Sequence, residues 1–243
     1  MSGVSVVTGG GGGIGREVAL RLAARGDAVS VWDRDPDAAR TTADAIVEAG
    51  GRAESEALDV ADQDQVRDAT ARAISAFGNI STLMTGAGYS RFVDFLDLTI
   101  EEWTSMLTVH ATGTFVCAQA VTPSMIDAHF GRMVFISSLA GLSGSAGHVH
   151  YAAAKAAILG LTKALCKELG PSGITVNAIA PGAIDTPMLK LIKPEIAERN
   201  SNNPVGRVGT PADVAETVLF LASPQASFIT GAVVNLSGGA YTY

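Results

Sequence analysis

Short runs of β-branched and apolar residues alternate along this chain with stretches whose apolar positions recur at helical spacing. The runs Val4–Thr8, Ala28–Asp33, Ala53–Leu58, Ser81–Thr85, Met133–Ser137, Thr175–Ile179 and Val233–Leu236 predict strands. Between them Ile14, Val18 and Leu22 fall four apart, as do Leu161, Leu165 and Leu169, the spacing of one helix face. Asp35 before Pro36, and Thr210 before Pro211, each set a capping side chain ahead of a first-turn proline and predict two helix starts. Strand–helix alternation of this kind gives βαβ units and a parallel sheet. Right-handed crossovers then wind it doubly, so the expected α/β fold is Rossmann-type, seven parallel strands with helices on both faces. No linker or internal repeat interrupts the pattern, and residues 1–243 read as one domain. The pattern lapses over Met188–Gly209, which holds Pro194, Pro204 and an Asn-rich patch and reads as a mobile substrate flap.

Composition narrows the function classes. The chain is 47% hydrophobic and 17% charged, as ordinary globular proteins are. A net charge of −7 argues against a nucleic-acid partner, which calls for a basic face. No stretch is apolar for long enough to span a bilayer, and Met1-Ser2-Gly3 runs into the apolar Val4–Val7 with no basic leader segment. The expected location is cytoplasmic. The two cysteines, Cys117 and Cys166, lie far apart in apolar stretches and read as buried structural thiols.

The chain opens strand, glycines, helix: Val4–Thr8, then Gly9 to Gly13, then Ile14-Gly15-Arg16. Glycine allows the sharp turn and the close approach of backbone to a ligand. The helix start offers free N–H groups and a positive dipole end to a pyrophosphate. No Gly-Lys-Ser/Thr ending follows, which disfavours a nucleoside-triphosphate loop. Asp33 ends the next strand, at about the 20-residue offset expected of an acid that accepts from the adenosine ribose hydroxyls. A carboxylate there repels a 2′-phosphate, so NAD is favoured over NADP. Arg34, next to it, could attract that phosphate.

A second group of residues suits proton transfer. Tyr151 and Lys155 are four apart and share one helix face. Ser138 closes a predicted strand 13 residues before Tyr151, where strand ends line a cofactor crevice. A free tyrosine, with a pKa of about 10, is a poor base at neutral pH. A nearby ammonium would stabilise its anion, and a positive nicotinamide ring would add to that. Tyr151 could then take the alcohol proton, or return it in reverse, while Ser138 holds the substrate oxygen.

With these residues the chain resembles the short-chain dehydrogenase/reductase family over its whole length. Thr8-Gly9 with Gly12, Gly13, Ile14 and Gly15 looks like the cofactor motif of that family. Asp59-Val60 is similar to the pair that meets the adenine, and Gly86-Ala87-Gly88 to the Asn-Ala-Gly strand end. Ser138, Tyr151 and Lys155 match the catalytic set, with Lys155 implied to hold the nicotinamide ribose as well. Asn177 with Pro181, Gly182, Ala183, Ile184, Asp185 and Thr186 resembles the segment that clasps the nicotinamide carboxamide. The resemblance implies a small-molecule substrate and a homo-oligomer, commonly a tetramer packed through Glu101–Ala128 and Tyr151–Leu169.

Two positions depart from the family pattern. His110 stands where Asn usually holds a helix kink and a proton-relaying water; histidine can donate, accept and titrate near neutral pH, so it replaces or shortens the relay, or else is a buried histidine with a local backbone partner. Gly86 stands where an Asn side chain would cross-link strands. Within the family the chain looks like the 3-oxoacyl-(acyl-carrier-protein) reductase branch, but His129 and Ser172 occupy positions where carrier-protein partners tend to meet arginine. His148, between Ser138 and Tyr151, and Met188 are expected to line the substrate pocket; Met188 with Leu142, Val149, Leu189 and Ile192 either makes it apolar or serves as core or oligomer contact. His148 and His150 lack a third ligand at suitable spacing, so no metal site is expected. The leading expectation is an NAD-dependent dehydrogenase of hydrophobic or cyclic secondary alcohols. Its rivals are an NADPH-dependent 3-oxoacyl thioester reductase and a non-catalytic NAD-binding sensor or scaffold, which would have no need of Ser138, Tyr151 and Lys155.

Overall fold

A computed structural model of the protein describes residues 3–190 and 203–242. Its centre is a sheet of seven strands: β1 (Val4–Thr8), β2 (Ala28–Asp33), β3 (Arg52–Ala57), β4 (Ile80–Thr85), β5 (Gly131–Ile136), β6 (Ile174–Pro181) and β7 (Val233–Leu236). Their order is β3-β2-β1-β4-β5-β6-β7, and every neighbouring pair is parallel. Chain order reverses between β1 and β4, and the crevice beyond the carboxyl ends of the strands opens at that switch point. The helices are α1 (Gly13–Ala24), α2 (Pro36–Glu48), α3 (Gln63–Phe77), α4 (Ile100–Leu107), α5 (Gly113–Asp127), α6 (Leu139–Ser143), α7 (Val149–Leu169), α8 (Pro187–Lys190) and α9 (Pro211–Leu221).

Strand periodicity sorts the core into two layers. In β1, Val4 and Val6 face one layer and Val7 the other. The first layer takes Val66 and Ala69 from α3, Val116 and Val121 from α5, and Ile158 from α7. The second takes Val18 and Leu22 from α1, Ala43 and Ile46 from α2, and Val214 and Val218 from α9. Burial on both faces explains why strands such as β5 and β6 are apolar almost throughout. The proline-led helix starts form as the capping rule predicts: the Asp35 side chain accepts from Asp37 and Ala38 N–H, and Thr210 forms a reciprocal box with Asp213.

Several expectations are corrected in detail. Strand ends move by one or two residues, so Leu58 and Ser137 fall just outside β3 and β5. The helix expected over Glu101–Ala128 is broken by a π-helical turn at Thr108–Thr112, which carries His110. Cys117 is buried, and burial pushes its thiol up to about 12, whereas Cys166 is only half-buried. Of the flap expected over Met188–Gly209, residues 191–202, including Ile192, lie outside the described residues, and Met188 falls within the short helix α8. Among the described residues no helix is long and apolar enough to cross a membrane.

Candidate active site

The turn from β1 into α1 is walled by glycine because backbone passes backbone there. Gly9 has φ +67°, and a side chain on it would lie 2.8 Å from the Ala87 nitrogen; one on Gly15 would lie 2.0 Å from the Gly9 carbonyl. Over Gly12, by contrast, an added carbon would meet nothing within 4 Å. Gly12 caps α1 without a side-chain bond, and the first turn carries no acid. The free N–H groups of that turn therefore face open space with no competing carboxylate, the donor set a pyrophosphate needs. A cavity of about 370 Å³ opens here and is lined by Gly9, Gly12, Gly13, Ile14, Gly15, Asp33, Arg34, Asp59, Val60 and Gly86 to Gly88.

Asp33 ends β2 at the far side of this cavity. Its Oδ2 accepts from Gly11 N–H at 2.9 Å and its Oδ1 from Asp35 N–H at 3.0 Å. The carboxylate is thus fixed against the glycine loop, and each oxygen keeps a further lone pair for a hydroxyl donor. At Gly86, the strand link that an Asn side chain would make is taken over by Thr8. The Thr8 hydroxyl accepts from Gly86 and Ala87 N–H, both at 3.2 Å. The Met84 thioether fills the space a Gly86 side chain would need, 3.2 Å from such a carbon.

The second cavity, about 410 Å³, adjoins the first, and Ile14, Gly86, Gly88, Thr186 and Met188 border both. Ser138, His110, His148, Tyr151 and Lys155 line it on one side, and Pro181, Gly182, Ile184 and Thr186 after β6 on the other. Met188 and Leu189 give it apolar lining; Leu142 and Val149 do not line it. The glycines, Asp33, Arg34, Asp59, Val60, Ser138, Tyr151, Lys155, His110, His148 and Met188 thus border one of two adjoining cavities, whereas Leu142, Val149, Thr8 and Asp185 border neither. Asn177, which the resemblance grouped with the β6 segment, also lines neither cavity. It is fully buried within β6, and its amide is spent on the Ile229 carbonyl and the Ala232 N–H.

Ser138 caps α6, its hydroxyl accepting from Ala140 N–H at 3.1 Å, which fixes the side chain at the cavity wall. The nearby Ser138 hydroxyl favours the Tyr151 anion. Burial is the stronger influence, so Tyr151 lies above its usual range. The ammonium expected to lower it is itself buried. Lys155 is 5% exposed, donates to the Ile136 carbonyl at 2.8 Å, and is pushed down to about 7 by that burial. Its Nζ lies 5.7 Å from the Tyr151 ring centre. Without a bound cation the phenol therefore keeps its proton, contrary to the expected lowering.

Two histidines pack against Tyr151, and a third, His150, lies next to one of them. His110 is 2% exposed and stands edge-on to the Tyr151 ring, with centres 5.3 Å apart. Its Nε2 is 2.8 Å from the Tyr89 carbonyl and 3.3 Å from the Tyr89 N–H, while Nδ1 is buried with no partner. Burial, and next the Lys155 charge, hold it well below the usual imidazole range, so it does not titrate near neutral pH as the sequence suggested. A side chain on Gly88 would lie 2.1 Å from the His110 ring, so His110 occupies the place that this glycine leaves open. His148 is stacked on Tyr151 at 4.5 Å and on Phe92 at 3.8 Å. Ser90 and Phe92, which also line the cavity, carried no sequence signal: they follow Gly88 in a loop without periodicity and meet His148 only through the fold. His148 and His150 have ring centres 6.2 Å apart, and among the described residues no three potential metal ligands gather.

A phosphate-ready helix start running into a Ser–Tyr–Lys group at a sheet switch point defines the site of a dinucleotide-dependent oxidoreductase. The family model described as Enoyl-(Acyl carrier protein) reductase matches residues 9–241. The short-chain reductase protein NovJ of Streptomyces niveus is 43% identical, the match covering 97% of this chain and 93% of the relative. The 3-oxoacyl-[acyl-carrier-protein] reductase FabG of Aquifex aeolicus is 37% identical over 98% of this chain and 97% of its own. The crystal structure of levodione reductase superposes with a TM-score of 0.93 at 32% identity, over 99% of this chain and 98% of that one. The chain belongs to the short-chain dehydrogenase/reductase family of oxidoreductases, whose members bind a nicotinamide cofactor.

Proposed function

We propose that this protein is an NAD-dependent oxidoreductase that interconverts a secondary alcohol and its ketone, with Tyr151 as general acid and base. The observation that carries the reading is the wall of the second cavity, which Ser138, Tyr151 and Lys155 line together, with the buried Lys155 ammonium 5.7 Å from the Tyr151 ring centre. The glycine turn would hold the cofactor pyrophosphate, Asp33 the adenosine ribose, Lys155 the nicotinamide ribose, and the segment Pro181 to Thr186 the carboxamide. A bound nicotinamide dinucleotide supplies a hydride acceptor when oxidised, together with a ring charge that favours tyrosinate, and a hydride donor when reduced. Ser138 orients the substrate oxygen, and Tyr151 gives it a proton in ketone reduction or takes one in alcohol oxidation. The raised pKa direction of Tyr151 suits the acid role directly.

NAD is favoured over NADP because a carboxylate pinned by two backbone N–H groups stands at the ribose end, where a 2′-phosphate would be repelled. Met188, Leu189, Leu139 and Phe92 in the second cavity suit a hydrophobic or cyclic substrate. Exposed Phe115 and Ile126 on α5 support a homotetramer packed through that helix. A second reading, a 3-oxoacyl thioester reductase, is favoured by the relatives bearing that name. The test is a panel of aliphatic, cyclic and aromatic secondary alcohols and 3-hydroxyacyl thioesters, each with NAD⁺ and NADP⁺, followed by nicotinamide absorbance. Turnover of alcohols with NAD⁺ is expected. Turnover confined to thioesters with NADP⁺ would replace the first reading by the second.

A further inference from the structure

Two loops meet beside Tyr151 in contacts that the Ser–Tyr–Lys group does not require. One follows β4 and contains Ser90, Phe92 and Val93; the other precedes α7 and contains Gly147 and His148. They are tied at three points. Val93 N–H donates to the Gly147 carbonyl at 2.9 Å. The Phe92 and His148 rings stack with centres 3.8 Å apart and planes 19° apart. The Ser90 hydroxyl lies 3.0 Å from His148 Nε2. The same imidazole is stacked on Tyr151, so its ring orientation is set by two neighbours.

His148 is 5% exposed, and burial pushes it down to about 4, so the ring is neutral at physiological pH and carries one N–H. If Ser90 donates to Nε2, the Ser90 oxygen keeps lone pairs to accept with; if Nε2–H donates, the Ser90 proton is free to donate. Ser90 and His148 line the cavity that also holds Ser138 and Tyr151. Among the described residues of that cavity, Lys155 is the one ammonium or guanidinium group, and it is already bonded to the Ile136 carbonyl. The loop contacts therefore present a neutral hydroxyl of adaptable polarity, with no free cation beside it among the described residues to receive a carboxylate or phosphate.

We propose that Ser90, held by His148, is a second substrate subsite that reads a neutral oxygen, hydroxyl or carbonyl, beyond the carbon–oxygen bond that reacts. The inference rests on the oxidoreductase reading above. It assigns a preference for substrates with two neutral oxygens, carried either on a ring, as in diols, hydroxyketones and diketones, or in the thioester carbonyl of a 3-oxoacyl chain.

The experiment uses the full chain saturated with NAD⁺ and measures the affinity of cyclohexanol, trans-1,2-cyclohexanediol and an N-acetylcysteamine thioester of 3-hydroxybutyrate by saturation-transfer NMR. Turnover of the same probes is followed in parallel. One hydrogen bond of this kind is worth about a tenfold preference for the diol or the thioester over cyclohexanol. Ser90→Ala, and His148→Phe, which keeps the stacking and removes the bond, are expected to collapse the preference. The probe that gains more in the wild type identifies the carrier as ring or thioester. Equal affinities in the wild type, or a preference that survives Ser90→Ala, would overturn the subsite. A preference lost in Ser90→Ala with no turnover of any probe would uphold the subsite and count against the oxidoreductase reading alone.

Discussion

Lys155 carries an electrostatic cost that can be read directly. Its ammonium is 5% exposed, donates only to the Ile136 carbonyl, and is pushed by burial from its ordinary 10.5 down to about 7. At about 1.4 kcal/mol per pKa unit, the cofactor-free fold is destabilised by up to about 5 kcal/mol where the lysine is charged. Relaxation around a buried charge reduces that, and about 2–5 kcal/mol is a working range. The sign follows from proton counts. Between pH 7 and 10.5 the unfolded chain holds a proton on Lys155 that the folded chain has released, so stability rises with pH across that window. Below pH 7 both states hold the proton and the full cost is present. Lys155→Met keeps the length of the side chain and removes the charge. The lost bond to Ile136 adds a change that does not depend on pH, so the test lies in how the difference between variant and wild type moves with pH. Thermal melts of both proteins without cofactor, from pH 6 to 10, are expected to show the melting temperature of the variant gaining about 5–15 °C relative to the wild type at pH 6, a gain that fades towards pH 10. A difference that stays constant over the whole range would refute the buried-ammonium argument.

Further outcomes follow from the same geometry. Asp33→Ala removes the acceptor at the ribose end, and NAD affinity is expected to fall about tenfold or more while NADP affinity falls less or improves; titration of both cofactors checks this, and an unchanged ratio would contradict the assignment. His110→Ala empties a buried site and breaks the bond to Tyr89, so it is expected to cost about 3 kcal/mol in denaturant unfolding. Because that imidazole is held neutral, the limbs of the pH–rate profile are expected to stay in place; a moved limb would show that the ring takes part in proton relay.

Much of the fold was legible because it is written in local periodicity. All seven strands were foreseen within one or two residues, since each is an apolar run closed by a turn. The parallel sheet followed from strand–helix alternation, and the helix starts at Pro36 and Pro211 from their caps. What escaped depends on contacts between distant segments. The π-helical turn at Thr108–Thr112 leaves no periodic mark, and its histidine interacts with Tyr89, 21 residues away. Replacement of the Gly86 side-chain link by the Thr8 hydroxyl needs strands 78 residues apart to be neighbours. The residues around the candidate site were read from motif spacing, and the structure gathers them at two connected cavities. Their electrostatics could not be read that way. Spacing shows that Lys155 shares a face with Tyr151, but not that burial moves both pKa values towards their neutral forms.

The most direct test of the central claim is the turnover of Tyr151→Phe beside the wild type, with NAD⁺ and the best alcohol of the panel, together with NAD affinity measured by titration. The phenylalanine keeps the ring that stacks on His148 and removes only the hydroxyl that would move the proton. A loss of kcat by a factor of about 10³ or more, with NAD affinity nearly unchanged, is the predicted result. Turnover retained within about tenfold of the wild type would contradict Tyr151 as the acid and base of this site.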